Sequence, residues 1–163
     1  VVKASRGVKI EADCFLSDLI NQPKATRNEN LDNWTLVVIP GGMPGAERLA
    51  KSQLVQQVIK HQITLGESGQ DSFIAAICAA PAVVLGNHGW LNDKVATCHP
   101  GFWDMLASKT QRLSHERVVK DLPFITSQGP GTAFEFALAL VEQLFGFDKK
   151  QEVGGPMILP DSV

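Results

Sequence analysis

The feature that most constrains this chain is an uninterrupted apolar run that cannot stay straight. Phe73 to Leu85 is 13 residues without a charged or polar amide side chain, and Pro81 stands inside it. A membrane helix needs roughly 20 apolar residues, so this run belongs to a protein interior. Its first five residues, Phe73 to Ile77, read as a parallel strand buried on both faces. Pro81 then suits the first turn of a helix that Ala82 to Leu85 continues. A strand that meets a helix this abruptly needs small residues at the bend, and Ala76, Ala79 and Ala80 surround Cys78 there. That is the pattern of a nucleophile elbow with alanine in place of glycine. At a helix N-terminus, backbone N–H groups favour a thiolate, which makes Cys78 the expected nucleophile and the oxidisable thiol. The competing reading is a small hydrophobe packed in the core.

A second strand, Thr35 to Ile39, ends at Pro40-Gly41-Gly42-Met43-Pro44-Gly45. A helix capped by Ser52 follows, with Leu54, Val55, Val58 and Ile59 on one face. Gly41 and Gly42 are candidate oxyanion donors, since glycine lets main-chain amides approach a reacting atom. Further on, Lys94 to Thr97 reads as extended and Arg117 to Ile125 as two short strands around Asp121. The break at Ser127-Gln128-Gly129-Pro130-Gly131 precedes a Thr132-x-x-Glu135 capping box. The helix it opens runs to about Phe145 and carries Phe134, Ala137, Leu138, Val141, Leu144 and Phe145 as its packing stripe. Alternating strands and helices in 163 residues indicate one layered α/β domain over residues 1–163.

His99 follows the Lys94–Thr97 strand and precedes Pro100-Gly101, placing it on the same rim as a general base or substrate-orienting group. His61, His88 and His115 stand in polar surroundings and read as solvated. Cys98 is a rival nucleophile without an elbow, read as a strand-end residue, and Cys14 has no partner signal. Fifteen basic and seventeen acidic residues give a net charge of −2, and no basic run interleaves with aromatics, which argues against a nucleic-acid partner, as the short apolar run argues against a membrane. Three separated cysteines with no CxxC pair leave no metal site and point to a reducing, cytoplasmic setting. The opening Val1-Val2-Lys3 has neither Met nor a leader-like apolar core, so further sequence upstream is expected.

Taken together, Val37-Val38-Ile39-Pro40-Gly41-Gly42, Ala75-Ala76-Ile77-Cys78-Ala79-Ala80-Pro81 and Thr126-Ser127-Gln128-Gly129-Pro130-Gly131-Thr132 resemble the ThiJ/PfpI superfamily, on the branch of bacterial YajL and the human parkinsonism-associated protein. Ser5-Arg6-Gly7-Val8-Lys9 extends the likeness almost to residue 1. The resemblance implies a flavodoxin-like three-layer α/β sandwich with a mainly parallel sheet, usually a homodimer. It implies no cofactor, Cys78 as the reactive cysteine and Gly41-Gly42 as part of its oxyanion environment. His99 matches a histidine that assists the cysteine in some members. The implied activities are glyoxalase-like conversion of dicarbonyls, deglycation of glycated proteins, stress sensing through a cysteine sulfinate, and chaperoning. Ala79 stands where the protease-like branch has His, and Pro100-Gly101 follow His99 where glutamine amidotransferases carry a His-x-Glu pair. The family also has about fifty more N-terminal residues, with a central strand, a helix and a glutamate bonded to the cysteine; a sheet without that strand exposes unpaired backbone, so a fragment is expected.

On this reading Cys78 adds to the carbonyl of a small dicarbonyl or glycated adduct, the Gly42 and Ala79 N–H groups hold the oxyanion, and His99 moves protons. The alternative is a redox sensor or holdase acting through oxidation of the same cysteine.

Overall fold

The computed structural model describes residues 1–4, 7–20 and 34–159. Ser5 and Arg6, two residues of the family resemblance, lie outside them. Near the start, β1 (Val2–Lys3) and β2 (Lys9–Ile10) form an exposed antiparallel pair, and a short helix, α1 (Leu16–Ile20), follows.

The main sheet is built from β3 (Leu36–Ile39), β4 (Phe73–Ile77), β7 (Val118–Asp121) and β8 (Phe124–Ser127), in the spatial order β3-β4-β8-β7. β3, β4 and β8 run parallel, and β7 pairs antiparallel with β8. Parallel neighbours need crossovers. The first is supplied by α2 (Gly45–Lys51) and α3 (Gln53–Glu67). The second is longer and holds β5 (Val95–Ala96), α4 (Trp103–Ala107) and β6 (Arg112–Leu113), with β5 and β6 paired in parallel. After β8 come α5 (Ala133–Phe145) and α6 (Phe147–Gly154).

The two-residue period of a strand sends alternate side chains to opposite faces, and β4 shows both destinations. Ile74 and Ala76 join the larger buried cluster with Ile39, Ala46, Ile59, Val84 and Leu106, on the face covered by α2, α3 and α4. Ala75 meets Ile125, Phe136 and Leu140 beneath α5, and Ile77 packs against that second cluster. The result is a three-layer α/β sandwich with a mainly parallel sheet, the flavodoxin-like arrangement.

β4 occupies the first five residues of the apolar run, Phe73–Ile77, as the sequence indicates, and Ser52 caps α3, its Oγ accepting the Val55 N–H at 3.4 Å. Elsewhere the sequence reading needs correction. The strand around Lys94–Thr97 shortens to Val95–Ala96. Asp121 ends β7, and the turn is made by Leu122-Pro123. Thr132 and Glu135 do not form a capping box, because both side chains are engaged elsewhere. The Thr132 Oγ1 turns back to accept the Gly129 N–H at 3.0 Å and stands 2.7 Å from Ser127 Oγ. Glu135 receives the Arg117 Nε–H at 2.6 Å. The packing stripe of α5 is also rotated: Phe136, Leu138, Ala139 and Leu140 are buried, whereas Phe134 is 61% and Phe145 68% exposed. Hydrophobicity spread around a helix fixes its amphipathic character better than its phase.

Candidate active site

Three parallel strands deliver three loops to one end of the sheet. Gly41 and Gly42 follow β3, Cys78 follows β4, and Gly129 and Pro130 follow β8. Ligands of open parallel sheets bind beyond these carboxyl ends. With Met43, Ile77, His99 and Ala133, the loops line a cleft of about 760 Å³.

Cys78 has φ 66°, a left-handed conformation that L-residues with a side chain avoid at a cost of roughly 1–2 kcal/mol. Its backbone is held in place on both sides. The Cys78 N–H donates to Ser127 O at 3.0 Å, prolonging the β4–β8 ladder, and the Cys78 carbonyl accepts the His99 N–H at 2.9 Å. Beyond it, Ala79, Ala80 and Pro81 are buried, and Pro81–Leu85 forms a single π-helical turn closed by the Gly86 N–H on Pro81 O. The strained turn leaves the Cys78 side chain partly exposed and facing the cleft.

Gly41 is required by contact. A methyl built there would lie 2.4 Å from Cys78 Cβ, 2.7 Å from Ile77 O and 3.2 Å from Cys78 Sγ. The β3 loop therefore rests directly against the cysteine, which only glycine permits. Gly42 adopts φ 89° and continues the loop around the cleft.

His99 reaches the rim from the end of β5. Its Nδ1 accepts the Gly101 N–H at 3.1 Å, capping the short turn Pro100–Phe102. An amide can donate only to an unprotonated ring nitrogen, so the neutral imidazole carries its proton on Nε2. His99 thus presents a donor, whereas general-base work requires the other tautomer and loss of the Gly101 bond. The ring lies edge-on to Phe102, and its Cδ2 is 3.4 Å from where a Gly129 Cβ would be.

Supporting residues went unrecognised in the sequence. The Thr97 N–H donates to Thr126 Oγ1 at 3.0 Å, which ties the His99 segment to β8. Trp103 Nε1 donates to Cys98 O at 3.0 Å and its ring stacks on His115 at 4.3 Å. The Gln128 amide donates to the His115 and Glu116 carbonyls. Thr126, next to Phe124 and Ile125 in buried β8, has a hydroxyl that needs a partner, and Thr97 just past β5 supplies its backbone amide. The other histidines are only partly as expected. His115 is exposed yet stacked, His61 is half-buried, and His88 is half-buried with Nε2 2.9 Å from Ala50 O and its ring on Trp90. Cys14 is exposed and Cys98 fully buried. Burial, with the nearby Cys78 sulfur second, pushes the Cys98 thiol up to about 12, which removes it as a neutral-pH nucleophile. Among the described residues no cluster of His, Cys, Asp or Glu could hold a metal ion.

Residues 1–143 match the DJ-1/PfpI family. Protein DJ-1 homolog B of Arabidopsis thaliana is 39% identical over 97% of this chain, which spans 32% of that relative's length. The glutathione-independent glyoxalase DJR-1.2 of Caenorhabditis elegans is 36% identical, with 97% of this chain and 75% of the relative covered. The crystal structure of Drosophila melanogaster DJ-1beta superposes with a TM-score of 0.79 at 36% identity, covering 98% of this chain and 77% of that one. With its three strand-end loops meeting at one cysteine, the chain belongs to the DJ-1/PfpI family.

Proposed function

We propose that this protein uses Cys78 to add to the carbonyl of small reactive dicarbonyls, in a glyoxalase- or deglycase-like reaction of carbonyl stress. The observation that carries the reading is the strained, partly exposed Cys78 at the head of the cleft, with Gly41 stripped of any side chain against it. A family relative that is a glutathione-independent glyoxalase supports the same chemistry.

In the proposed step the Cys78 thiolate forms an S–C bond with the aldehyde carbon, and the carbonyl π pair moves onto oxygen. The Gly42 and Ala79 amides are assigned to that oxyanion. His99 contributes its Nε2–H as a further donor, the role its bond from Gly101 favours. The described lining holds no Lys, Arg, Asp or Glu, so an uncharged carbonyl compound fits it better than a keto acid.

The test is lactate formation from methylglyoxal by the full-length protein, run beside release of the free thiol or amine from its glycated adduct. Cys78→Ala is expected to fall to the uncatalysed background for both. Unchanged lactate formation in Cys78→Ala overturns the reading, and loss of the second activity alone restricts it to free dicarbonyls.

A further inference from the structure

The sheet has a second cavity, at the opposite end from the cysteine. Where β4 and β8 begin, the end of α3 and the turn before β5 enclose a hollow of about 480 Å³, within the size range of small-molecule sites. Its floor is apolar, with Ile63, Phe73, Trp90, Pro123 and Phe124, and its lining also includes the carboxylates Glu67 and Asp93. The frame around it is tied together. Ser72 Oγ stands 2.8 Å from Gln62 O and 2.6 Å from Gln62 Oε1, which joins α3 to the start of β4. The Trp90 ring stacks on His88 at 4.6 Å, and His88 Nε2 is 2.9 Å from Ala50 O.

Charge decides what such a hollow accepts. Lys94 is the one cationic side chain among the described lining residues, and it is engaged elsewhere: its Nζ donates to Leu122 O at 3.1 Å and lies 3.8 Å from Asp121 Oδ1. Asp121, outside the lining, therefore offsets the lysine. Asp93 Oδ2 is 3.9 Å from the same ammonium, at the limit of an ion pair, and its side chain is 82% exposed. Glu67 is exposed and has no cationic partner among the described residues. Two carboxylates from two different elements thus stand beside an apolar floor, and the local charge is negative.

We propose that this hollow binds an aliphatic diamine, its methylene chain on the apolar floor and its ammonium groups paired with Glu67 and Asp93. A dication matches both carboxylates, whereas a monoamine leaves one unpaired and an anion meets like charge. Methylenes laid on the floor add apolar burial that a bare metal cation lacks. The proposal goes beyond the carbonyl chemistry at Cys78 and does not depend on it.

Hexamethylenediamine is titrated calorimetrically into the full-length protein at low salt, beside hexylamine and hexanediol. Each ammonium removed is expected to weaken binding about two- to fivefold, the worth of an exposed ion pair. The double variant Glu67→Gln with Asp93→Asn changes only exposed side chains away from the cleft, and is expected to erase the preference for the diamine while methylglyoxal turnover stays as in the wild type. In the nitrogen–proton spectrum, the indole resonance that Trp90→Phe removes is expected to shift with the diamine. Absence of saturable diamine binding overturns the proposal, as do equal affinity for the diol, a double variant that keeps the preference, or shifts confined to residues around Cys78. Diamine binding is expected to persist in Cys78→Ala, so the cleft reading and this one fail separately.

Discussion

Single residues carry most of the energetic cost of this site. Cys78 occupies φ 66°, where glycine is at ease and other residues are strained. Glycine normally destabilises a regular position by about 0.5–1 kcal/mol relative to alanine. Here Cys78→Gly is expected to be at least as stable as Cys78→Ala, measured by urea unfolding, and the ordinary ranking would refute a strained elbow. Gly41→Ala drives a methyl into the cysteine and the Ile77 carbonyl, and a loss of about 3 kcal/mol is expected together with loss of activity.

Cys98 gives a prediction with a definite sign. Its thiol is raised from 9.0 to about 12 by burial first and by Cys78 second. Between those values the unfolded chain releases the proton while the folded chain keeps it, so stability is fully present below about pH 9 and falls as pH rises toward 12. The chain has no tyrosine to add its own titration there. Urea midpoints from pH 8 to 11 should fall less steeply in Cys98→Ala than in the wild type; parallel slopes would contradict the burial argument.

Elements differ in how visible they are from residues alone. β4 was readable to the residue because a strand buried on both faces must be continuously apolar and because Cys78-Ala79-Ala80-Pro81 admits only a sharp exit. α3 was readable at its start because Ser52 performs the local capping bond. α5 was misread for a tertiary reason. Glu135 is taken by Arg117, which stands just before β7, and Thr132 by Gly129 and Ser127 of the preceding turn and β8, so the Thr-x-x-Glu spacing by itself does not show that the pair is already occupied. Two contrasting substitutions follow. Ser52→Ala is expected to cost about 0.5–1 kcal/mol and leave turnover intact. Thr132→Val strips a buried hydroxyl shared with Gly129 and Ser127, and a loss of about 1–3 kcal/mol with reduced activity is expected, because the Gly129 loop lines the cleft. Equal effects on turnover would show that the loop does not need this anchor.

At the scale of the whole molecule, the sheet places Cys78 where three loops converge and leaves Cys98 sealed in the core. The convergence was legible because each parallel strand announces its own end with glycine or cysteine. The seal was not, since Thr97, Thr126, Trp103 and Gln128 act through contacts across elements. β3 has one hydrogen-bonded neighbour among the described residues, and Val38 on it is 48% exposed. The cleft and its cysteine lie on the side of β3 where pairing is complete.

The central claim is that Cys78 is the thiol open to chemistry and Cys98 the one withheld. Peptide-resolved alkylation of the native full-length protein by iodoacetamide at neutral pH tests it directly. Cys78 should be labelled and protected by a bound carbonyl compound, while Cys98 is labelled only after unfolding. A native protein whose Cys98 reacts as fast as Cys78, or whose Cys78 stays silent, would contradict the account.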